Sequence, residues 1–331
     1  MMNGKSCNKS EGRVIIKPPC VCVQNSFLLG YHFFSSISNI PKDNFRGMQG
    51  IDHTIVCPSR SHFPDKLRQL LRTLFIAKII HFYKEVDSTQ DLAIAIVEKK
   101  LEDAHGTVII AERQKNGKGR IDRKWISPKG GVWLSVIFKP KIKAAQATLL
   151  PIVAALAVCD TINLKTKLNS KIKWPNDIVI EGRKVSGTIV DISIEKENID
   201  YAVIGIGINA NVNVSKIMRY ISNDTRPGAL EMTSLQKELS GKKVNINDLI
   251  RMLLEKLEYY YLQLEKNYSK GIMQKCRQRS ETLNNLVVVT QQNESFEGHA
   301  IDIDSDGALL VKKSDNSVYR IVAGDALVRR K

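Results

Sequence analysis

Between two apolar runs, Thr107-Val108-Ile109-Ile110-Ala111 and Gly131-Val132-Trp133-Leu134-Ser135-Val136-Ile137-Phe138, the chain carries the segment Gln114-Lys115-Asn116-Gly117-Lys118-Gly119-Arg120-Ile121-Asp122-Arg123-Lys124-Trp125. Each run has the length and composition of a buried strand. The segment between them is therefore a loop hung from a sheet, where a rigid scaffold can position it. Gly117 and Gly119 let the backbone approach an anion closely, and Lys118, Arg120, Arg123 and Lys124 supply the opposite charge. A phosphate or a carboxylate is the ligand such a loop suits. A solvated basic loop would have the same residues, so the choice rests on what accompanies it.

Composition narrows the class of protein. With 331 residues, 43% of them hydrophobic and 25% charged, the chain can bury a sizeable core and suits two domains or one large domain with a small appendage. The cysteines at 7, 20, 22, 57, 159 and 276 show no CxxC pair and no regular framework, which fits reduced thiols in a cytoplasmic protein. No membrane partner is expected. The run from Ala144 to Val158 is short for a span, carries Gln146 and Pro151, and reads as a core helix. A formal charge of +16 is spread over lysines such as Lys99, Lys100, Lys139, Lys141, Lys143, Lys312 and Lys313. That spread fits a solvated surface, and equally the steering of acidic ligands.

Residues 1–64 carry prolines at 18, 19, 41, 58 and 64 and short apolar bursts without period, so an irregular, disordered extension is expected there. Leu67, Leu70, Leu71, Leu74 and Phe75 recur at helical spacing and predict a helix from Asp65 to about Ile76. Ser88-Thr89-Gln90-Asp91 reads as a capping box opening a helix whose stripe is Leu92, Ala93, Ile96 and Val97. A second helix is expected from about Ala147 to Ile162, with Pro151 in its first turn. Strands at Lys171–Trp174, Ile178–Ile180, Lys184–Asp191 and Tyr201–Ile208 follow as an antiparallel meander, with Pro175-Asn176-Asp177 as its first turn. Ser222 to Gly228 reads as a mobile loop, and Leu249, Ile250, Leu253, Leu254, Leu257 and Leu264 mark a long helix from Ile246 to Tyr268. From Leu286 onward, short strands and tight turns, including Asp304-Ser305-Asp306-Gly307, predict a small β barrel.

Five ordered segments give the loop its context. They are Ser88-Thr89-Gln90, the Gly117-Lys118-Gly119-Arg120 loop ending in Trp125, Lys173-Trp174-Pro175-Asn176-Asp177, Lys184-Val185-Ser186-Gly187, and Gly205-Ile206-Gly207-Ile208-Asn209. In this order and spacing they resemble the biotin protein ligase family over roughly residues 77–331. The resemblance implies an α+β catalytic domain, a mainly antiparallel sheet flanked by helices, at 65–280. It also implies an SH3-like β barrel at 281–331. The implied reaction activates biotin with ATP and Mg²⁺ to biotinyl-5′-AMP, then transfers biotin to a lysine of a biotin carboxyl carrier protein.

By the same resemblance, Ser88, Thr89, Gln90, Gln114, Gly117, Lys118 and Gly119 line the biotin side. Lys184, Arg120 and Arg123 carry the catalytic charge, with Arg120 and Lys184 reaching both substrates. A lysine at the start of a strand is ordinarily exposed and inert. Joining a carboxylate to a triphosphate, however, demands cations. Trp125, Asn176 and Asn209 serve the adenosine, and Asp177 is either structural or linked to Mg²⁺. Lys118 stands where many members carry Arg, and Asp122 where many carry Gly. The lysine gives the loop a point charge in place of a forked clamp. A lipoate ligase shares the implied fold but not the Gly-Lys-Gly-Arg loop or the Lys-Trp-Pro-Asn-Asp turn. A biotin-sensing DNA-binding repressor would need a winged helix, for which residues 1–64 offer no pattern, so nucleic acid is not expected as a partner. A homodimer is left open.

Overall fold

The computed structural model describes residues 14–16, 67, 69–99, 104–121, 123–221, 231–291, 294–322 and 324–329. The expectations for the rest of residues 1–66, for Asp122 and for Ser222 to Gly228 lie outside them. The apolar runs flanking the loop form β3 (Val108–Ala111) and β4 (Val132–Phe138), buried at every position. Beside them lie β2 (Ile80–Tyr83), β5 (Ser170–Lys173), β6 (Asp177–Ile180), β7 (Arg183–Glu195) and β8 (Asn198–Ile208). Their order across the sheet is β2-β3-β4-β8-β7-β6-β5, and a short β1 (Val14–Ile16) also pairs with β7 at Ile192–Ile194. Only β2 and β3 run parallel among the described pairs.

Alternation along the strands separates two faces. One face sends Leu134, Val136, Phe138, Ile204 and Ile206 into the main core. There they join α2 (Leu150–Thr166) and α5 (Ile246–Glu265), which pack against each other. On the other face Ile137, Val203, Ile109 and Ala111 meet Ala93 and Val97 of α1 (Thr89–Glu98). Register places Trp133, Gly207 and Gly187 in one cross-strand row, and Ser135, Gly205 and Ile189 in the next. This second face is thus floored by glycines and small polar groups where it meets the loop.

A 3-10 turn (Ala144–Leu149) runs directly into α2, so the helical stretch is longer than the sequence suggested. By length and composition Ala144–Thr166 could cross a membrane, yet 83% of its most apolar window is buried inside the fold. It is a core helix. The helix expected from Asp65 to Ile76 is overturned in its second half, because helical backbone is described only at 67, 69 and 70. The amides of Leu74, Phe75 and Ile76 donate instead to the buried Glu258 carboxylate, at 2.6, 2.9 and 2.9 Å. A side-chain acceptor has replaced the helical carbonyls, and Leu74 is left 71% exposed. Further helices are α3 (Val214–Ile221), α4 (Leu235–Glu238) and α6 (Ser269–Gln278), all three unforeseen in the sequence.

The C-terminal strands are β9 (Leu286–Gln291), β10 (Glu294–Ile303), β11 (Leu309–Lys312), β12 (Val318–Ile321) and β13 (Asp325–Val328). They pair antiparallel in the order β12-β11-β10-β9-β13. Among the described residues no pairing joins β12 to β13, so the sheet is open rather than a closed barrel. It docks through the Trp174 indole, which donates to the Gly307 carbonyl at 2.9 Å. Arg277 adds bonds to Asp302 at 2.6 Å and to the Ile303 carbonyl at 2.5 Å. Gly307 sits at φ 90° in the Asp304–Gly307 turn, and a Cβ there would lie 2.6 Å from Ile152.

Candidate active site

The start of α1 delivers three buried polar side chains, Ser88 at its N-cap and Thr89 and Gln90 in its first turn. Ser88 caps the helix, its hydroxyl accepting from the Asp91 amide at 3.3 Å. The Asp91 carboxylate pairs across to Lys118 of the loop, a different partner from the reciprocal cap expected of it. Thr89 gives both its amide and its hydroxyl to Gln114 Oε1, at 2.8 and 3.1 Å, and its hydroxyl also lies 2.9 Å from Ser135 Oγ. Ser135 in turn donates to Gln90 Oε1 at 2.9 Å, while Gln90 Nε2 donates to Asp191 and to the Val203 carbonyl at 2.8 and 2.9 Å. At the other end Gln114 Nε2 donates to Ser127 Oγ, which donates to the Trp125 carbonyl. The result is one continuous chain of neutral hydrogen bonds ending on a single carboxylate.

Glycines make room for this chain and for the indole beside it. A Cβ on Gly205 would collide with Gln90 Oε1, and one on Gly207 would come within 2.5 Å of Trp125 Nε1. A Cβ on Gly117 would come equally close to the Trp125 carbonyl and the Ser127 hydroxyl. The Gly205-x-Gly207 spacing therefore reflects close approach on one sheet face. The loop itself is folded back: Gly119 accepts no slack, its amide donating to the Arg123 carbonyl at 2.6 Å, and the Trp125 amide donates to the Gly117 carbonyl at 2.7 Å.

A second group of side chains is built around Lys184 and Arg120. Lys184 Nζ lies 2.6 Å from Asp177 Oδ1 and 5.2 Å from the centre of the Trp125 ring. A bulge decides that position. Ile178 pairs with Ser186 but Val179 pairs with Lys184, leaving Val185 as the extra residue on β7. Without it, strict alternation would put Val185 on the side of Gly187. With it, Val185 is buried in the main core, and the Lys184 stem passes 3.3 Å from where a Cβ of Gly187 would be. Arg120 donates to Asn176 Oδ1 at 2.7 Å and to the Gly324 carbonyl of the C-terminal sheet at 3.1 Å. Asn176 Nδ2 donates to the Thr188 carbonyl at 2.5 Å, so its amide orients Arg120 in this structure. Arg123 is exposed.

Arg183 braces the start of β7 with a forked bond to Glu238, at 3.1 and 2.8 Å. Burial pushes the Glu238 carboxyl up, but the hydrogen bonds from Arg183 and Thr233 outweigh it and hold the group below its ordinary value. Asn209 Nδ2 donates to the Thr233 carbonyl at 3.0 Å. Its Oδ1, like Trp125 Nε1, is buried with no hydrogen-bond partner among the described residues. One offers an acceptor and the other a donor to a polar ring. Cys159 and Cys276 are free and buried, and burial pushes their thiols up to about 11 and about 12, which argues against a thiolate nucleophile.

A metal centre built from protein ligands does not fit these residues. No group of three or more His, Cys, Asp or Glu side chains among the described residues could share an ion, and Asp177 is engaged by Lys184. The tertiary structure brings together Ser88, Thr89, Gln90, Gln114, Gly117, Lys118 and Trp125 on one side, and Lys184, Arg120, Asn176 and Asp177 on the other. Sequence reasoning passed over Ser127, Ser135 and Asp191, and it gave Asp91 a cap where the structure gives it Lys118. Ser135 did leave a signal, as the one polar residue inside the buried strand Val132–Phe138.

Comparison with known proteins agrees with this geometry. Residues 83–209 match the model of the biotin/lipoate A/B protein ligase family, and residues 282–329 match that of the biotin protein ligase C terminal domain. The bifunctional ligase/repressor BirA of Bacillus subtilis (strain 168) is 28% identical over 272 residues, covering 78% of this chain and 77% of that protein. A biotin--[acetyl-CoA-carboxylase] ligase of Paracoccus denitrificans is 27% identical over 206 residues, covering 62% of this chain and 83% of its own length. Among solved structures, the biotin protein ligase from Aquifex aeolicus in complex with biotin and ATP superposes with a TM-score of 0.62 at 26% identity. That match covers 77% of this chain and 100% of the other.

Proposed function

Because the chain belongs to the biotin protein ligase family, we propose that it activates biotin with ATP and transfers it to a lysine of a biotin carboxyl carrier protein. The observation that carries this reading is Lys184, brought by the bulge between Asp177 and the Trp125 ring, close to the buried neutral hydrogen-bond chain. An oxygen of the biotin carboxylate attacks the α-phosphorus of ATP, an oxygen–phosphorus bond forms, and pyrophosphate leaves with the electrons of the broken bond. The carrier's lysine amine then attacks the acyl carbon of the mixed anhydride and AMP departs. No covalent enzyme intermediate is required.

Each side of the site has a task in that scheme. Ser88, Thr89, Gln90, Gln114, Gly117, Lys118 and Gly119 receive biotin, whose ureido head needs polar partners inside an otherwise apolar cavity. Lys184 has three N–H donors and can keep Asp177 while meeting carboxylate and α-phosphate oxygens. Arg120, oriented by Asn176, and Arg123 add forked donors to the same anions. The unpartnered Trp125 Nε1 and Asn209 Oδ1 support a place for the adenosine beside them. Mg²⁺ is assigned to the triphosphate that carries it, since no group of three or more His, Cys, Asp or Glu side chains among the described residues could hold it. Residues 65–280 would form the catalytic unit, 281–331 the C-terminal one, and buried free thiols suit a cytoplasmic setting. The repressor activity named for some relatives is not extended to this chain.

The test is incubation with biotin, α-labelled ATP and a carrier domain. Labelled biotinyl-AMP should form without carrier and be consumed when carrier is added. Absence of labelled adenylate with active substrate controls would overturn the assignment.

A further inference from the structure

The hydrogen bonds around Thr89 have a fixed direction, and that direction constrains what the pocket can accept. Gln90 Nε2 faces two groups that only accept, the Asp191 carboxylate at 2.8 Å and the Val203 carbonyl at 2.9 Å. Its amide cannot flip without losing both, so Oε1 must point to Ser135. The Ser135 hydroxyl therefore spends its single hydrogen on Gln90 Oε1, at 2.9 Å. From there the constraint passes to Thr89. Its hydroxyl lies 2.9 Å from Ser135 Oγ, whose hydrogen is already committed, and 3.1 Å from Gln114 Oε1. That oxygen is an acceptor as well, because Gln114 Nε2 is turned to Ser127 at 2.8 Å, and Ser127 donates onward to the Trp125 carbonyl at 3.0 Å. Whichever neighbour it chooses, the Thr89 hydrogen points into the protein.

Burial makes the arrangement stiff. Thr89, Gln90, Ser127, Ser135 and Asp191 are all buried, so water does not offer these groups an alternative. Gly205 removes the side chain that would occupy the space of Gln90 Oε1.

We propose that Ser135 and Asp191 are positioning residues that, with Gln114 Oε1 as the second inward acceptor, set the polarity of the biotin pocket, holding the Thr89 hydrogen inward so that its oxygen meets the ligand only as an acceptor for a ring N–H. The inference rests on the biotin ligase reading and deepens it, because it names what selects the ureido head. Neither residue needs to touch the ligand. Asp191 and the Val203 carbonyl share the anchoring of Gln90, whereas Ser135 by itself links Gln90 to Thr89 among the described residues, so Ser135 is the sensitive member.

The experiment measures biotin affinity by calorimetry and steady-state adenylate formation on the full chain. Ser135→Ala should raise the biotin Kd about tenfold, the loss of one hydrogen bond, with KM for biotin rising and kcat at saturation within about threefold of wild type. Ser135→Cys keeps the shape with a weak donor and should fall between the two. Thr89→Val should weaken binding at least as much, and adding Ser135→Ala to it should cost nothing further, because Ser135 acts through Thr89. Additive losses in the double variant, or Ser135→Cys matching wild type while Ser135→Ala does not, would assign Ser135 to packing and overturn the relay. Wild-type protein that binds no biotin would overturn the functional reading and this inference with it. Wild type that binds biotin while both Ser135 variants bind within twofold would overturn the relay alone.

Discussion

The two sides of the Trp125 indole solve recognition differently. On the side of α1, a neutral hydrogen-bond chain from Ser127 to Asp191 is satisfied within the protein and buried. On the side of β7, charged groups are held by ion pairs at partly exposed positions, with Lys184 and Asp177 at 20% and 17% side-chain exposure. A neutral ligand head offers only directional bonds, so its pocket has to fix donor and acceptor directions before the ligand arrives. An anion is attracted from any direction. Its site can park cations on carboxylates and let the ligand compete for them, at a modest cost because the parked pairs are solvent-screened. Preorganisation is therefore concentrated in the neutral hydrogen-bond chain.

Four measurements would break or sharpen that contrast. Lys184→Ala should produce the largest effect, lowering single-turnover formation of biotinyl-AMP by roughly 100- to 1000-fold, in line with loss of one transition-state donor. The thermal midpoint should move little, and a rate within threefold of wild type would remove the charged side from the chemistry. Gly205→Ala attacks the other side, since its methyl would overlap Gln90 Oε1 and come 2.9 Å from Ile189. Overpacking of about 1 to 3 kcal/mol should weaken biotin binding roughly 5- to 150-fold by calorimetry. A loss confined to kcat would show that the two sides are not separable.

Asp177→Asn tests how lightly the cations are parked. Releasing Lys184 from its partner should change the adenylation rate only about two- to fivefold, the scale of a partly exposed pair. An effect as large as that of Lys184→Ala would mean that Asp177 has a direct part in the chemistry. The smallest effect is expected beneath the same side, at Glu238. Its carboxyl is held below the ordinary value, so the stability it contributes is complete above about pH 4.5 and is lost as pH falls through the lower folded value. Glu238→Gln should cost roughly 1 kcal/mol at pH 7 and less near pH 3, read from urea midpoints at the two pH values. An equal cost at both would sever the pair from acid stability.

How legible each side was in the sequence follows from the same physics. The loop and its cations were visible because charge and glycine are local signals. Lys184 was singled out through resemblance, but nothing local revealed that Val185 would bulge and swing the lysine to the face of Gly187. Two neighbouring residues decide that only when β6 and β7 pair. The hydrogen-bond chain was harder still, because Gln90, Ser135 and Asp191 lie 45 and 101 positions apart along the chain and meet only in the sheet. The helix expected to reach Ile76 failed for a similar reason. Its amides found Glu258, more than 180 residues away, and a buried carboxylate outweighed local periodicity.

By itself the sequence determined the strands, the core helices and the kinds of chemical group available, since burial patterns of period two and 3.6, glycine positions and caps are written in adjacent residues. Tertiary structure decided which way those groups point. It turned Asp91 from helix cap to Lys118 partner, left the C-terminal sheet open, and handed Arg120 to Asn176 and the Gly324 carbonyl. Hydrogen bonds and ion pairs are short-ranged, so a side chain's partner is fixed by what packing brings within about 3 Å, and sequence distance does not enter.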